Sequence, residues 1–239
     1  MITEKHFEQL KNLLFIDIET ASQAKEWEEL SENMQSLWSR KGKKLSPGKS
    51  AEESYLEWAA LFAEFGKIIA IGMGYFFHED DQVHFKVKSL DYEREEDILQ
   101  EIADMLANTS KLKLVSHNGI SFDYPYLGRR MLVHNIPLPP TLDLMAKKPW
   151  EIKHVDTLQL WKFGEARNFT SLELLCEILD IPSSKDDLDG SLVSKVYHET
   201  GNLKRIATYS QYDVIATARV FLRMKGMPAL SDECIHWVE

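Results

Sequence analysis

Runs of apolar positions divide the chain into predicted strands and helices. Strands are indicated at Leu13–Thr20, Lys67–Phe77, Gln82–Val87 and Leu112–His117, where bulky apolar residues form short runs bounded by polar turns. The second and third runs flank one short polar turn, which predicts an antiparallel hairpin. His154–Trp161 is either a last strand or the start of a helix. The chain therefore contains enough strands for a β-sheet.

Helices are predicted between and after these strands. Apolar residues recur at helical spacing over Glu93–Asn108, Phe169–Leu179 and Leu203–Lys225. Another helix is expected to begin around Asp123 to Pro125, because proline is favoured in a first helical turn. This order of elements is typical of a mixed α/β sheet flanked by helices rather than of a purely doubly wound one.

A long segment, Ala21–Phe65, follows the first strand and exceeds the usual length of a structureless loop. Two apolar stripes at helical spacing predict a helical insert at about 21–65. The stripes comprise Trp27, Leu30, Met34, Leu37 and Trp38, and then Tyr55, Trp58, Ala59 and Phe62. Between them, Arg40–Ser50 is the most basic stretch of the chain and is rich in helix breakers. It is interpreted as a solvated loop, or alternatively as a mobile loop that contacts phosphates.

Composition narrows the class of protein. The 239 residues are 44% hydrophobic and 28% charged, which is ordinary for a globular protein, and we predict a single domain over 1–239. The net charge of −10 argues against a protein that coats nucleic acid with a broad basic surface. An enzyme that meets a strand end at a metal centre stays compatible, because bound cations reverse the local field.

The cysteines and the apolar runs of the chain predict where in the cell the protein is found. Cys176 and Cys234 are isolated, so a reducing environment and no structural zinc are expected. The first residues lack the apolar core of a signal peptide, and the longest apolar run, near Ile68–Phe77, is too short to span a bilayer. We therefore expect a cytoplasmic protein without a membrane partner.

Two carboxylates interrupt the first predicted strand. Asp17 and Glu19 are two residues apart, so their side chains leave the same face of that strand. At about 4 Å, like charges repel by roughly 4 kcal/mol at an effective dielectric of 20. Basic partners, a shared proton or a bound divalent cation would offset this repulsion. Alone, the pair is more typical of an exposed strand end than of a metal site.

Two later stretches carry further polar side chains. Asp123 follows Asn118-Gly119 at a predicted helix start, where an N-cap is the common use of aspartate. Tyr209 and Asp213 are four apart on the final helix and share one of its faces. The polar rim of an amphipathic helix would contain such a pair as well.

Two glycines, Gly72 and Gly74, lie inside the second predicted strand. No third glycine and no Gly-Lys-Ser/Thr follows at the spacing of a nucleotide-binding loop. A bulge or the close approach of another backbone is therefore the better interpretation.

Together, three motifs resemble those of the DEDD superfamily of 3′→5′ exonucleases. They are Asp-Ile-Glu at 17–19, Asn-Gly-Ile-Ser-Phe-Asp at 118–123 and Tyr-Ser-Gln-Tyr-Asp at 209–213. The chain is most similar, over about Leu13–Met224, to the proofreading domain of family B DNA polymerases and to stand-alone proteins predicted to be related to it. Tyr209 matches the tyrosine (DEDDy) branch, because Thr208 stands where the other branch carries histidine. A Lys-Asp-Asp-Leu-Asp-Gly run in a predicted acidic loop, Ser183–Gly190, resembles the stand-alone relatives as well.

The resemblance implies a ribonuclease H-like fold and a two-metal-ion phosphodiester hydrolase. Two Mg²⁺ or Mn²⁺ ions, about 4 Å apart, would be held by carboxylates, with Asp17 as the bridging ligand. The implied ligands are Asp17, Glu19, Asp123 and Asp213. Tyr209, with an ordinary pKa of about 10, is expected to stay neutral and to orient the attacking water. For the substrate, the resemblance implies contacts from Thr20 to the terminal sugar or phosphate, from Asn118 to the terminal nucleotides and from Phe122 to a base.

The implied substrate is the 3′ end of a single strand, with DNA favoured over RNA. Proofreading in trans, repair and end trimming are all open as pathways. The acidic balance suggests weak intrinsic affinity for nucleic acid or a protein partner that delivers the substrate.

Other classes fit less well. A non-catalytic nucleic-acid-binding module on the same fold would usually have lost some of the acids, and all four are present with the tyrosine. A purely structural protein would require three coincidences. A zinc hydrolase lacks its His-Glu-x-x-His motif here, and a P-loop enzyme lacks its loop.

Overall fold

A six-stranded mixed sheet forms the centre of the computed structural model, which describes residues 2–80, 82–107, 109, 111–182, 188 and 190–238. The strands are β1 (Leu13–Ser22), β2 (Gly66–Glu79), β3 (Gln82–Leu90), β4 (Lys113–Ser116), β5 (Val155–Asp156) and β6 (Ile235–Trp237). They lie in the order β5-β4-β1-β2-β3-β6. β1 pairs antiparallel with β2 and parallel with β4, and β2 and β3 form the predicted hairpin.

Helices flank this sheet, which confirms the expected α/β class. The α-helices of the described residues are α1 (Glu4–Leu10), α2 (Glu32–Leu45), α3 (Ala51–Trp58), α4 (Glu95–Ala107), α5 (Asp123–Val133), α6 (Thr157–Trp161), α7 (Leu172–Ile178), α8 (Val193–Thr200) and α9 (Leu203–Met224). Because side chains alternate along β1, Leu14, Ile16 and Ile18 pack in one core cluster with α4 and α5. Leu13 and Phe15 pack in a second cluster with α9. The central strand is thus covered on both faces.

The predicted helical insert is present, with one correction. α2 and α3 pack around the buried Trp38, whose Nε1 donates to Ala51 O at 3.1 Å and to Ser54 Oγ at 3.0 Å. The prediction of a loop over Arg40–Ser50 is wrong for its first half, because α2 continues to Leu45. Arginine and lysine propagate helices well and are favoured near a helix C-terminus. The chain leaves the helix only at the Ser-Pro-Gly breakers.

The remaining predicted elements agree in type with small shifts at their ends. His154–Trp161 contains both of the alternatives considered, β5 followed by α6. The sequence pattern did not predict α1, α8 or β6. Of the predicted acidic loop Ser183–Gly190, all but Leu188 and Gly190 lie outside the described residues. No helix within the described ranges is long and apolar enough to cross a membrane.

Candidate active site

The alternation of β1 places two carboxylates against the last helix. Leu13 and Phe15 face α9, so Asp17 and Glu19, at the next two odd positions, point toward α9 as well. A change of register between β1 and β2 falls between Glu19 and Thr20, directly beside this pair. Such bulges re-aim side chains locally. The strand period therefore brings both acids to one place, as the sequence predicted.

α9 approaches the sheet closely at Gly72, the β2 partner of Asp17. A Cβ built on Gly72 would lie 2.6 Å from Ser210 Oγ and 2.7 Å from the Ser210 carbonyl oxygen. Ser210 Oγ accepts a hydrogen bond from the Gly72 amide at 2.9 Å and donates one to Asp17 Oδ2 at 2.9 Å. The close backbone approach expected at this glycine is confirmed. Ser210 thereby ties α9, β2 and Asp17 together.

This packing assembles a cluster of three carboxylates. One oxygen from each of Asp17, Glu19 and Asp213 lies within 4.8 Å of the others. Within the described residues no lysine, arginine or histidine forms an ion pair with any of them. Carboxylate oxygens are the ligands that Mg²⁺ and Mn²⁺ prefer, so the donor set fits a divalent cation. The cluster is a site that could hold metal.

Asp123 lies beside this cluster rather than in it. β4 pairs with β1 only along Leu13–Phe15, and farther along β1 the Ile18 amide donates to Asp123 Oδ1 at 3.2 Å. The side chain is 3% exposed. Asp123 is the first residue of α5 and Phe122 holds the N-cap position, so the alternative of Asp123 as N-cap is wrong. The predicted four-ligand set is thus three carboxylates in contact plus one neighbour.

Burial without a counter-charge shifts the acidity of the whole group. Desolvation raises the pKa of Asp17 to about 8, and the Asp123 charge adds to the effect. Desolvation, with the Asp17 charge second, likewise raises the pKa of Asp213 to about 8. Desolvation raises the pKa of Asp123 to about 7 and holds that of Glu19 well above its usual range. Carboxyl oxygens of Asp17 and Glu19 lie within 4.8 Å of each other, and since both pKa values are raised, a proton held between these groups would offset their repulsion. Basic partners, a shared proton or a divalent cation would offset the repulsion among these carboxylates. The described residues include no basic partner, so a proton or a cation is left.

The metal-free chain is expected to lose stability as the pH rises from about 4 to about 8. The Asp17 pKa moves from 3.8, its ordinary value, to about 8 in the folded state. Between these values the folded chain keeps a proton that the unfolded chain has released, so a rise in pH favours unfolding. Asp17→Asn should therefore flatten the fall in melting temperature across this window. Thermal unfolding with a chelator measures both slopes, and equal slopes would contradict the assignment.

Tyr209 stands one helical turn before Asp213 on α9. The two side chains share one face of the helix, and the charge of the Asp213 carboxylate acts on the Tyr209 phenol. Burial, followed by the charges of Asp213, Glu19 and Asp17, raises the pKa of Tyr209 far above its usual range. The phenol is therefore neutral at physiological pH and is held at the edge of the carboxylate cluster.

The three candidate substrate residues occupy different settings. Thr20 is buried and follows the β1 bulge. Asn118 has a φ of 66°, a left-handed conformation that asparagine tolerates better than most residues. The Phe122 ring is half-buried and its centroid lies 5.4 Å from that of Tyr126, in a tilted arrangement. Their contacts with a substrate stay predictions.

Sequence reasoning missed Asp156, which organises the loop between β4 and α5. Its Oδ1 accepts hydrogen bonds from the amides of Asn118 and Leu158 at 2.9 Å each, and its Oδ2 accepts one from Ile120 at 3.1 Å. It also caps α6. An aspartate just before a helix start signals a cap, but its bonds to the distant loop have no local signal in the sequence. Ser210 was likewise overlooked, although it lies inside the third motif.

Comparisons with known proteins match most of the chain to one family. A family model described as a predicted 3′→5′ exonuclease related to the exonuclease domain of PolB matches residues 61–234. That range includes Asp123, Tyr209 and Asp213 but not β1. No curated protein shows significant sequence similarity to the chain.

Among solved structures, the family B DNA polymerase from the hyperthermophilic archaeon Pyrobaculum calidifontis is similar, with a TM-score of 0.56 and 14% sequence identity. The match covers 88% of this chain and 24% of the polymerase chain. At this level of identity the likeness concerns the fold alone. It supports the mixed sheet as a ribonuclease H-like fold of the kind found in polymerase exonuclease domains.

Proposed function

The chain belongs to the family of predicted 3′→5′ exonucleases related to the exonuclease domain of PolB, and we propose that it hydrolyses single-stranded nucleic acid from the 3′ end with divalent metal ions. The observation that carries the proposal is the cluster of Asp17, Glu19 and Asp213, three carboxylates without a basic partner among the described residues. Acids drawn from the first strand and the last helix meet where the resemblance requires metal ligands. A fold shared with a DNA polymerase favours DNA as substrate.

In this proposal four carboxylates hold two Mg²⁺ or Mn²⁺ ions. Bound ions would generate a nucleophile at neutral pH and stabilise charge on the attacking and leaving oxygens. Asp17 would be the central ligand of this set, because its charge acts on both Glu19 and Asp213 and the Asp123 charge acts on it in turn. Asp123, which accepts a hydrogen bond from the Ile18 amide of β1, would complete the set. Cation binding would replace the shared proton and remove the repulsion among these groups.

Tyr209 acts as a hydrogen-bonding group in this scheme. Its raised pKa keeps the phenol protonated, so the phenolate is not populated as a base and the hydroxyl is suited to orient the attacking water. Thr20, Asn118 and Phe122 are proposed to contact the terminal sugar, the terminal nucleotides and a base. The proposed pathways are repair, end trimming and proofreading in trans, and the net charge of −10 favours substrate delivery by a protein partner.

Tyr209→Phe is expected to lower kcat by about 100-fold, the low end of what a positioned proton-handling group contributes, without loss of metal affinity. The substitution removes the hydroxyl that orients water but none of the carboxylate ligands. Steady-state kinetics and calorimetric Mn²⁺ titration measure the two effects separately. Tyr212→Phe, the same change at an exposed position of the same helix, is the matched control. Lost Mn²⁺ affinity in Tyr209→Phe would contradict the water-orienting role.

The activity itself is tested by a gel time course on end-labelled single strands. DNA and RNA strands, with free or blocked 3′ ends, are incubated with Mg²⁺, with Mn²⁺ or with a chelator. A ladder that shortens from the free 3′ end, and that is lost in Asp17→Ala, is the expected result. Metal binding without cleavage of any strand would instead favour a non-catalytic or partner-dependent module. Failure to bind metal would overturn the site.

A further inference from the structure

A surface loop beyond α6 exposes two large aromatic rings. The Phe163–Phe169 loop connects α6 to α7, and its seven residues are all exposed. The Phe163 side chain is 92% exposed and that of Phe169 is 66% exposed. Within the described part of the chain neither ring packs against another ring or joins a core cluster. Apolar side chains in such a setting commonly mark a binding surface.

The backbone of this loop is strained at its first aromatic residue. Phe163 has a φ of 47° and Gly164 a φ of 89°, and the Glu165 amide donates to Lys162 O at 2.8 Å across the turn. Glycine or asparagine adopts such a φ at little cost, whereas a bulky aromatic residue rarely does. The fold gains no buried contact from Phe163 in exchange. Backbone strain that no packing contact offsets is typical of residues with a binding role.

The C-terminal end of the loop is attached close to the Asn118 turn. There His117 Nε2 donates to Thr170 O at 2.8 Å, and His117 is the neighbour of Asn118. α7 follows at once and packs through Leu175 and Cys176 on Ala216 and Val220, within two turns of Asp213. The C-terminal end of the loop is therefore held beside the Asn118 turn, and α7 beyond it packs on the helix that carries the third motif.

Charges around the rings suit a polyanion. Lys162 and Arg167 form no ion pair with any described residue, and Glu165 is the one acid of the loop. The chain as a whole has a net charge of −10, so these unpaired cations make the surface beside the rings locally more favourable for an anion. Single-stranded nucleic acids bind by base stacking on aromatic rings together with contacts from basic side chains to phosphates.

We propose that the Phe163–Phe169 loop binds the single strand upstream of its 3′-terminal nucleotides. Successive bases stack on Phe163 and Phe169, while Lys162 and Arg167 contact phosphates. The inference rests on the proposed function and assigns a substrate contact outside the carboxylate cluster. It also accounts for how a chain with an acidic balance holds a strand without a broad basic surface.

The test measures affinity rather than turnover. A fluorescein-labelled oligothymidylate of twelve nucleotides, made resistant to cleavage by a terminal phosphorothioate linkage, is titrated with the intact chain in Mg²⁺. Since stacking contributes enough per base to change affinity about fivefold or more, Phe163→Ala with Phe169→Ala should weaken binding by about 25-fold or more. Arg167→Gln should reduce the slope of log affinity against log salt by about 0.7.

The matched control is Trp150→Ala. Like the loop rings, Trp150 is an exposed aromatic residue (77%) with a cation nearby, since Lys148 Nζ lies 5.3 Å from its ring centroid. Unlike them, it lies before the N-terminal end of β5, whereas Asp156 contacts Asn118 from the C-terminal end of that strand. Its loss should change binding less than twofold. Phe163→Gly, which removes one ring and relieves the positive φ, provides a variant expected to be at least as stable as wild type if the double variant misfolds.

Each outcome decides the inference. Selective weakening by the loop variants supports it. Wild-type affinity in those variants, or an equal loss in Trp150→Ala, overturns it and leaves the proposed exonuclease intact. A wild-type chain that binds no single strand, and degrades none in the gel assay, overturns the proposed function and this inference together.

Discussion

Asp213→Ala is expected to abolish metal-dependent cleavage while the chain stays folded and at least as stable as wild type. Asp213 supplies one of the three clustered carboxylates, so its loss should reduce activity by on the order of 1,000-fold, as the loss of a key electrostatic group does. Stability should not suffer, because burial and the neighbouring Asp17 raise the pKa of Asp213 to about 8, which marks the ionised group as unfavourable in the fold.

Activity, melting temperature and Mn²⁺ affinity are measured together for this variant. Asp143→Ala is the matched control, since Asp143 is exposed and lies outside the cluster. The control should retain wild-type values in all three measurements. An Asp213→Ala protein that cleaves as fast as wild type would remove α9 from the site and refute the assignment.

Gly72→Ala is expected to lower both stability and activity although Gly72 touches no substrate. An added Cβ would meet the Ser210 carbonyl oxygen at 2.7 Å and its carbonyl carbon at 2.8 Å, and backbone atoms cannot rotate away as a side chain can. Overpacking of this kind costs about 1–3 kcal/mol of unfolding free energy. Relief requires α9 to move from the sheet, which would carry Tyr209 and Asp213 away from Asp17. A small displacement of that kind can cost about 100-fold in rate.

Gly128→Ala is the control for this substitution. Gly128 lies in α5, and a Cβ there would meet no atom closer than 3.9 Å, so alanine should be neutral or stabilising through its better helix propensity. Denaturant unfolding and steady-state cleavage compare the two variants. Unchanged activity in Gly72→Ala would show that α9 tolerates displacement and that the contact at Ser210 does not position the site.

Local periodicity accounts for most of what the sequence predicted correctly. The two-residue period of β1 places Asp17 and Glu19 on one face, and the helical period of α9 does the same for Tyr209 and Asp213. Both predictions need only the conformation of one element. The close approach at Gly72 was also predicted, because a glycine inside an apolar strand commonly marks a bulge or the close approach of another backbone.

The parts that sequence reasoning missed depend on distant elements. The bond from the Ile18 amide to Asp123 exists because β4 stops short of it, and the length of β4 is a property of the assembled sheet. β6 has three residues and pairs only with β3 among the described strands, and so short a run carries no periodic signal. Of the loop predicted over Arg40–Ser50, the residues up to Leu45 are helical because the helix propensity of arginine and lysine outweighs the effect of their charge there.

The union of β1 with α9 also determines when the carboxylate cluster can exist. Asp17 and Ser210 are 193 residues apart in the chain, yet they share the hydrogen bond that ties the first strand to the last helix. A ribosome makes the N-terminal segment first, and contacts of such long sequence separation close late in folding. An emerging chain therefore carries isolated acids and no assembled cluster until α9 has been synthesised. The assembled carboxylate cluster is therefore present only in molecules whose α9 has already folded onto the sheet.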